Sequence, residues 1–153
     1  MHNLSFDNKY SQFYISDKTS PKNTSDKNFW SQEAQEDRLA ISKGILGIGI
    51  GSYGLVRGEL EILDVATNKI DSSLFDHIVE GGLSVESGVI QVLDCPNLHV
   101  ELEVKVRPAK YRARIYFSNL NTIHGDEGED YYRIEIWPDK NVNRKVIKRF
   151  IRQ

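Results

Sequence analysis

The clearest pattern in the chain lies between Leu98 and Val106, where Leu98, Val100, Leu102, Val104 and Val106 alternate with His99, Glu101, Glu103 and Lys105. Successive side chains of a strand point to opposite faces, so this spacing predicts a strand with one buried and one wet face, the habit of antiparallel sheets. Residues Leu55–Val65 repeat the pattern, with Arg57, Glu59 and Glu61 opposite Val56, Leu60 and Ile62. Shorter apolar or aromatic runs at Tyr10–Ile15, Ile45–Ile50, Ser73–Val79, Val89–Leu93, Tyr111–Phe117 and Tyr131–Trp137 read as further strands. They are separated by turn-forming residues at Gly81-Gly82, Pro96, Pro108, Asn121 and Gly125–Gly128.

Helical spacing is confined to two places. Trp30–Ala40 combines good helix formers with Ser31 as a cap and acids in its early turns, and Trp30 and Ala34 fall on one face that docks on the body. Val142–Ile151 fits either a helical stripe or a strand at Lys145–Arg149. The fold class predicted is mainly β, an antiparallel β-sandwich with one short helix near the N-terminus. A single domain of 153 residues is expected, with 1–9 and 17–28 flexible and 139–153 a basic C-terminal segment, helix or edge strand.

Composition refines this picture without assigning a function. The hydrophobic content of 39% belongs to a folded chain. A single cysteine, Cys95, forbids an internal disulfide and suits a reducing compartment. Met1–Lys9 lacks the character of a secretion leader, and no apolar run approaches the ~20 residues of a membrane span, so a cytoplasmic location without membrane association is expected. The net charge of −2 is unevenly spread. Residues 139–153 hold six basic residues and one acid, a local +5 that leaves −7 on the preceding body. An acidic body repels nucleic acid and suits a basic protein surface, while the basic segment either stays solvated or pairs with its own domain.

Three motifs invite chemistry. Gly49-Ile50-Gly51-Ser52-Tyr53-Gly54-Leu55-Val56 matches the glycine loop that covers ATP phosphates in kinases, but the lysine, H-R-D and D-F-G partners of that loop are missing. A dinucleotide loop would open a helix, whereas Gly54 leads into an alternating strand. The Gly44–Gly58 run therefore reads as strand and turn, with Gly51–Gly54 as a hairpin. Asp126, Glu127, Glu129 and Asp130 follow His124 on a glycine-bounded loop. Clustered acids of this kind bind calcium, contact a basic partner, or simply stay solvated, and their spacing is not that of an EF-hand. Cys95 and His99, four apart on a strand, lie roughly 13 Å apart, too far for a catalytic pair. His2 and His77 stand alone. Lys110–Tyr116 interleaves basic and aromatic residues as nucleic-acid binders do, yet its period of two marks an ordinary amphipathic strand. Neither a catalytic constellation nor a cofactor motif emerges, and no enzyme activity is expected.

The early aromatic strand Tyr10–Ile15, the polar loop after it, Trp30-Ser31-Gln32-Glu33-Ala34, and Arg38–Gly44 leading into Ile45-Leu46-Gly47-Ile48 resemble the competence protein J family, described as inhibitors of a DNA-entry nuclease. The likeness covers about Tyr10 to Asp64 most clearly. It implies a non-catalytic cytoplasmic protein that binds a nuclease or nuclease toxin, without cofactor, metal or direct nucleic-acid contact. Candidate partner contacts are Asp126, Glu127, Glu129 and Asp130 on the loop, and Glu33, Glu36 and Asp37 on the helix. A β-sandwich module taking calcium, lipid or glycan at the acidic loop 124–130 is the alternative of a different class.

Overall fold

The computed structural model describes residues 1–151. Among them eleven strands build two sheets. In chain order these are β1 (His2–Asp7), β2 (Gln12–Asp17), β3 (Leu39–Ser42), β4 (Ile45–Gly49), β5 (Leu55–Ile62), β6 (His77–Val85), β7 (Val89–Leu93), β8 (Val100–Lys105), β9 (Ala109–Ser118), β10 (Tyr131–Pro138) and β11 (Lys145–Lys148), with helix α1 at Gln32–Asp37. The larger sheet runs β1-β5-β10-β9-β6-β11 and the smaller β3-β4-β2-β7-β8. Every pairing is antiparallel except β5 with β10. The sandwich expected from the alternation is the fold observed.

The core between the sheets is made by the inward residues of each alternation: Val56 and Leu60, Ile134 and Ile136, Ala113, Ile115 and Phe117 from one sheet meet Phe13, Ile15, Leu46, Ile48 and Val92 from the other. Strand β2 is buried on both faces because a second cluster, Tyr14, Phe29, Ala34, Ala40 and Ile45, packs behind the smaller sheet. Helix α1 supplies Ala34 to that cluster, and Ser31 caps it by accepting from the Ala34 N–H at 3.1 Å. Gly47 leaves room for the helix approach, since a Cβ there would stand 2.9 Å from the rings of both Phe29 and Trp30. The tryptophan-bearing segment and the glycine-bounded strand are thus two halves of one packing unit.

Several expectations are corrected. Residues 1–9 are not simply flexible: Leu4 and Phe6 alternate inward, and β1 pairs along β5. The helix stops at Asp37, with Arg38 in the left-handed region at φ 61°, and Leu39–Ser42 become β3 because Leu39 and Ala40 are wholly buried against the β4 pairing. Asp17 is held rather than loose, buried and accepting from the Ser87 N–H and hydroxyl and from Thr19, so the irregular stretch begins at residue 18. Gly51–Gly54 is not a hairpin, since β4 and β5 lie in different sheets and the segment crosses between them. Gly81 and Gly82 do not end a strand but sit inside β6, where Leu39 and Ile41 pack over one and the backbone of Val142 over the other. The basic C-terminal segment forms the edge strand β11, with its last residues, Arg152 and Gln153, outside the described set.

Most unexpected is the outer face of β9. The amphipathic pattern of Lys110–Tyr116 predicts one wet face, yet Arg112, Arg114 and Tyr116 are buried. Glu80 accepts from Arg112 Nε and from Arg114 Nε, each at 2.7 Å. Arg114 donates to Tyr116 at 3.0 Å, and the Tyr116 hydroxyl donates to Glu135. Burial first, and the Glu135 carboxylate beside it, push that phenol up to about 12. The cover comes from residues distant in sequence: Phe75 lies against the Tyr116 ring at 4.6 Å, and the carbonyls of Thr67, Asn141 and Asn143 accept from the two arginines.

Candidate partner interface

The acidic loop lies between a 3-10 turn at Leu120–Thr122 and β10. His124 and Glu127 close it with a backbone bridge around Gly125, whose φ is +63°. Asp126, Glu127 and Glu129 are exposed, and Glu129 is tied through its backbone to the Asn119 and Thr122 side chains while no ion pair engages the three carboxylates among the described residues. Asp130 differs: it is buried and accepts from Ser52 Oγ at 2.7 Å and from the Tyr132 hydroxyl. Burial, followed by the hydrogen bond to Asp130, raises the Tyr132 phenol far above its ordinary range, so it remains a donor. Asp130 therefore anchors the loop rather than facing a partner.

That anchor fixes the acidic loop against the β4–β5 crossover. The Gly51 N–H donates to the Tyr132 hydroxyl at 3.3 Å, and the Tyr53 N–H donates to the Asp126 carbonyl at 2.9 Å. Between the two segments opens a cleft of about 460 Å³, walled by Asp7, Tyr53, Leu55, Arg57, Asp126 and Glu127. The glycine run crosses from β4 of one sheet into β5 of the other, so it is neither the helix-opening turn of a dinucleotide loop nor a hairpin between paired strands. No group of three or more His, Cys, Asp or Glu side chains is placed to hold a metal among the described residues.

The acids of α1 are arranged otherwise. Asp37 receives Arg144 Nε at 2.7 Å and Arg149 Nη2 at 2.6 Å, while Glu33 lies 3.6 Å from Arg144 and the Glu36 carbonyl accepts from Arg149. Burial would raise the Asp37 carboxyl, but hydrogen bonds from Arg149 and Arg144 outweigh it and hold the group below its ordinary value. The basic segment pairs with its own domain, and its two arginines offset part of the charge of the helix face. The two sets of predicted contact residues are consequently unequal: the loop acids are free, and Asp37 is already engaged.

The other candidates of the sequence resolve as structural. Cys95 is buried with Tyr14 as its neighbour at 3.6 Å, and burial pushes its thiol up, away from a nucleophile. His77 is wholly buried, linking the Asp37 carbonyl at 2.8 Å to the Phe150 N–H at 3.0 Å. Residues that sequence reasoning passed over include Tyr10 and Tyr53, both exposed, whose rings meet edge to face at 6.3 Å beside the acidic cleft. Their isolation among polar neighbours was the one available signal. It did not reveal that they meet.

Neither a protein-family model nor a curated protein sequence matches the chain. Solved structures do. The crystal structure of ComJ from Bacillus subtilis, inhibitor of the DNA degrading activity of NucA, superposes with a TM-score of 0.70 over 91% of this chain and 96% of that one. The fold is that of ComJ. Identity to ComJ over the match is 16%, so the backbone plan is shared while most side chains differ. The product of crocagin biosynthetic gene J matches with a TM-score of 0.59 and 12% identity over 91% of this chain and 97% of its own. Like ComJ, it is spanned almost end to end, so the likeness extends beyond the Tyr10–Asp64 stretch that carried the resemblance in sequence.

Proposed function

We propose that this protein is a non-catalytic inhibitor of a nuclease, binding it through the unpaired carboxylates of the Asp126–Glu129 loop. The observation that carries the reading is the ComJ fold across 91% of the chain. The loop supports it chemically. Enzymes that act on DNA present basic clefts, and exposed carboxylates on a rigidly anchored loop are suited to occupying them, with long-range attraction speeding the encounter. The helix acids Glu33 and Glu36 are secondary contacts, since Arg144 lies beside Glu33 and the neighbouring Asp37 is taken by Arg144 and Arg149.

The test is protection of plasmid DNA from NucA by the purified protein, compared with the Asp126→Asn/Glu127→Gln/Glu129→Gln variant. Protection by the unaltered protein, weakened in the variant by roughly tenfold or more, is the expected result. Protection that the variant retains in full removes the loop from the interface. No protection by the unaltered protein overturns the inhibitor reading.

A further inference from the structure

Two exposed tyrosines stand at the junction of two depressions. Tyr10 is 63% and Tyr53 40% exposed, and Leu55, 42% exposed, extends the apolar surface beside them. On one side is the acidic cleft. On the other is a groove of about 320 Å³ walled by Tyr10, Trp30, Gln35 and Arg38. The rings are carried on segments whose backbones are tied down. Tyr10 and Ser11 both occupy the left-handed region, at φ 66° and 52°, and the flanking Lys9 N–H is bonded to the Cys95 carbonyl at 2.8 Å. Tyr53 is held through its N–H to the acidic loop. Two adjacent non-glycine residues in that region persist only where the surrounding structure enforces them.

We infer that Tyr10, Tyr53 and Leu55 form the apolar centre of a docking surface for a basic protein, the nuclease of the proposed function, on which this inference rests. Rigid tyrosines surrounded by charged groups have the composition of an interface centre with its polar rim. Charge selects the occupant. Asp7, Asp126 and Glu127 line the rim and Glu129 lies on the same loop, and these acids outnumber the cations Arg57, Lys9 and Arg38 of the two depressions. A second copy of this chain would bring carboxylates against carboxylates across a two-fold axis, whereas a basic surface meets them with opposite sign.

The test measures amide hydrogen exchange of the intact protein with and without NucA, together with plasmid protection by Tyr10→Ser/Tyr53→Ser and by Val65→Ser, a 73% exposed position elsewhere. Expected are slowed exchange at residues 10–12, 51–55 and 126–128, protection reduced roughly tenfold or more in the double variant, and full protection with Val65→Ser. Circular dichroism establishes that the variants fold, and the exchange measurement on the unaltered protein needs no variant. If the unaltered protein inhibits and the loop-acid variant is weakened, yet the tyrosine variant inhibits fully and exchange there is unchanged, the inhibitor reading stands and this docking centre is overturned. A concentration-dependent dimer abolished by the tyrosine variant replaces the basic partner with a second copy and overturns the inference. Absence of any complex with NucA removes the reading and the partner together.

Discussion

At residue scale, the most constrained position is Gly58. A Cβ there would stand 2.1 Å from the carbonyl oxygen of Tyr132, a backbone atom locked in the β5–β10 pairing. Gly58→Ala is expected to destabilise the protein by roughly 2–4 kcal/mol in urea unfolding, because the two strands must separate locally. Glu80 is the corresponding point for charge. It alone bridges Arg112 and Arg114 through both its oxygens. Glu80→Gln leaves two buried guanidinium groups undercompensated, and a loss of about 3 kcal/mol is expected by the same measurement. Replacing Glu135 tests a different branch of the network, since it reaches Tyr116 and Arg133 rather than Arg112.

At the scale of elements, Phe150, just after β11, is held to the body by a pH-sensitive link. The Phe150 N–H donates to His77 Nδ1, so Nε2 carries the proton and donates to the Asp37 carbonyl. Burial, reinforced by Arg38 and Arg149, lowers the imidazole from 6.5 to about 4. The unfolded chain therefore binds the proton first as pH falls. Stability from this group is complete above about 6.5, declines down to about 4, and is constant below it. The full decline amounts to about 3 kcal/mol. Urea unfolding across that range should show the slope in the unaltered protein and its loss in His77→Gln. Asp37 contributes in a separate window: its lowered carboxyl adds stability above the ordinary carboxylate value of 3.8, lost as pH drops through its lower folded value.

At the scale of the whole molecule, the charge asymmetry is largely internal. The body carries −7 and the last fifteen residues +5, but Arg144 and Arg149 are spent on Asp37, Glu33 and the end of α1. No ion pair engages Asp126, Glu127 or Glu129 among the described residues, although Arg57 shares their cleft, so these carboxylates contribute to the field at that end of the sandwich. For the nuclease complex proposed above, the association rate with NucA is expected to fall with added salt and the dissociation rate to change little, as measured by surface plasmon resonance. Neutralising Asp126, Glu127 and Glu129 should flatten that salt dependence. A rate indifferent to salt would remove electrostatic steering from the mechanism.

Local pattern alone determined the class of fold, the cap at Ser31, and most strands, because the alternation of β5, β7, β9 and β10 is dictated by which side chains can enter a core. It also marked the acidic loop, whose composition needs no tertiary context to be recognised. What it left out shares one cause. Leu39–Ser42 and His2–Asp7 are strands because partners elsewhere in the chain complete their hydrogen bonds, and Gly51–Gly54 crosses between sheets because of where β5 finds β1 and β10. The burial of Arg112 and Arg114, the capture of Arg144 and Arg149 by Asp37, and the meeting of Tyr10 with Tyr53 all join residues 29 or more positions apart. A sequence states what each face can bury. Only the assembled sheets decide what covers it.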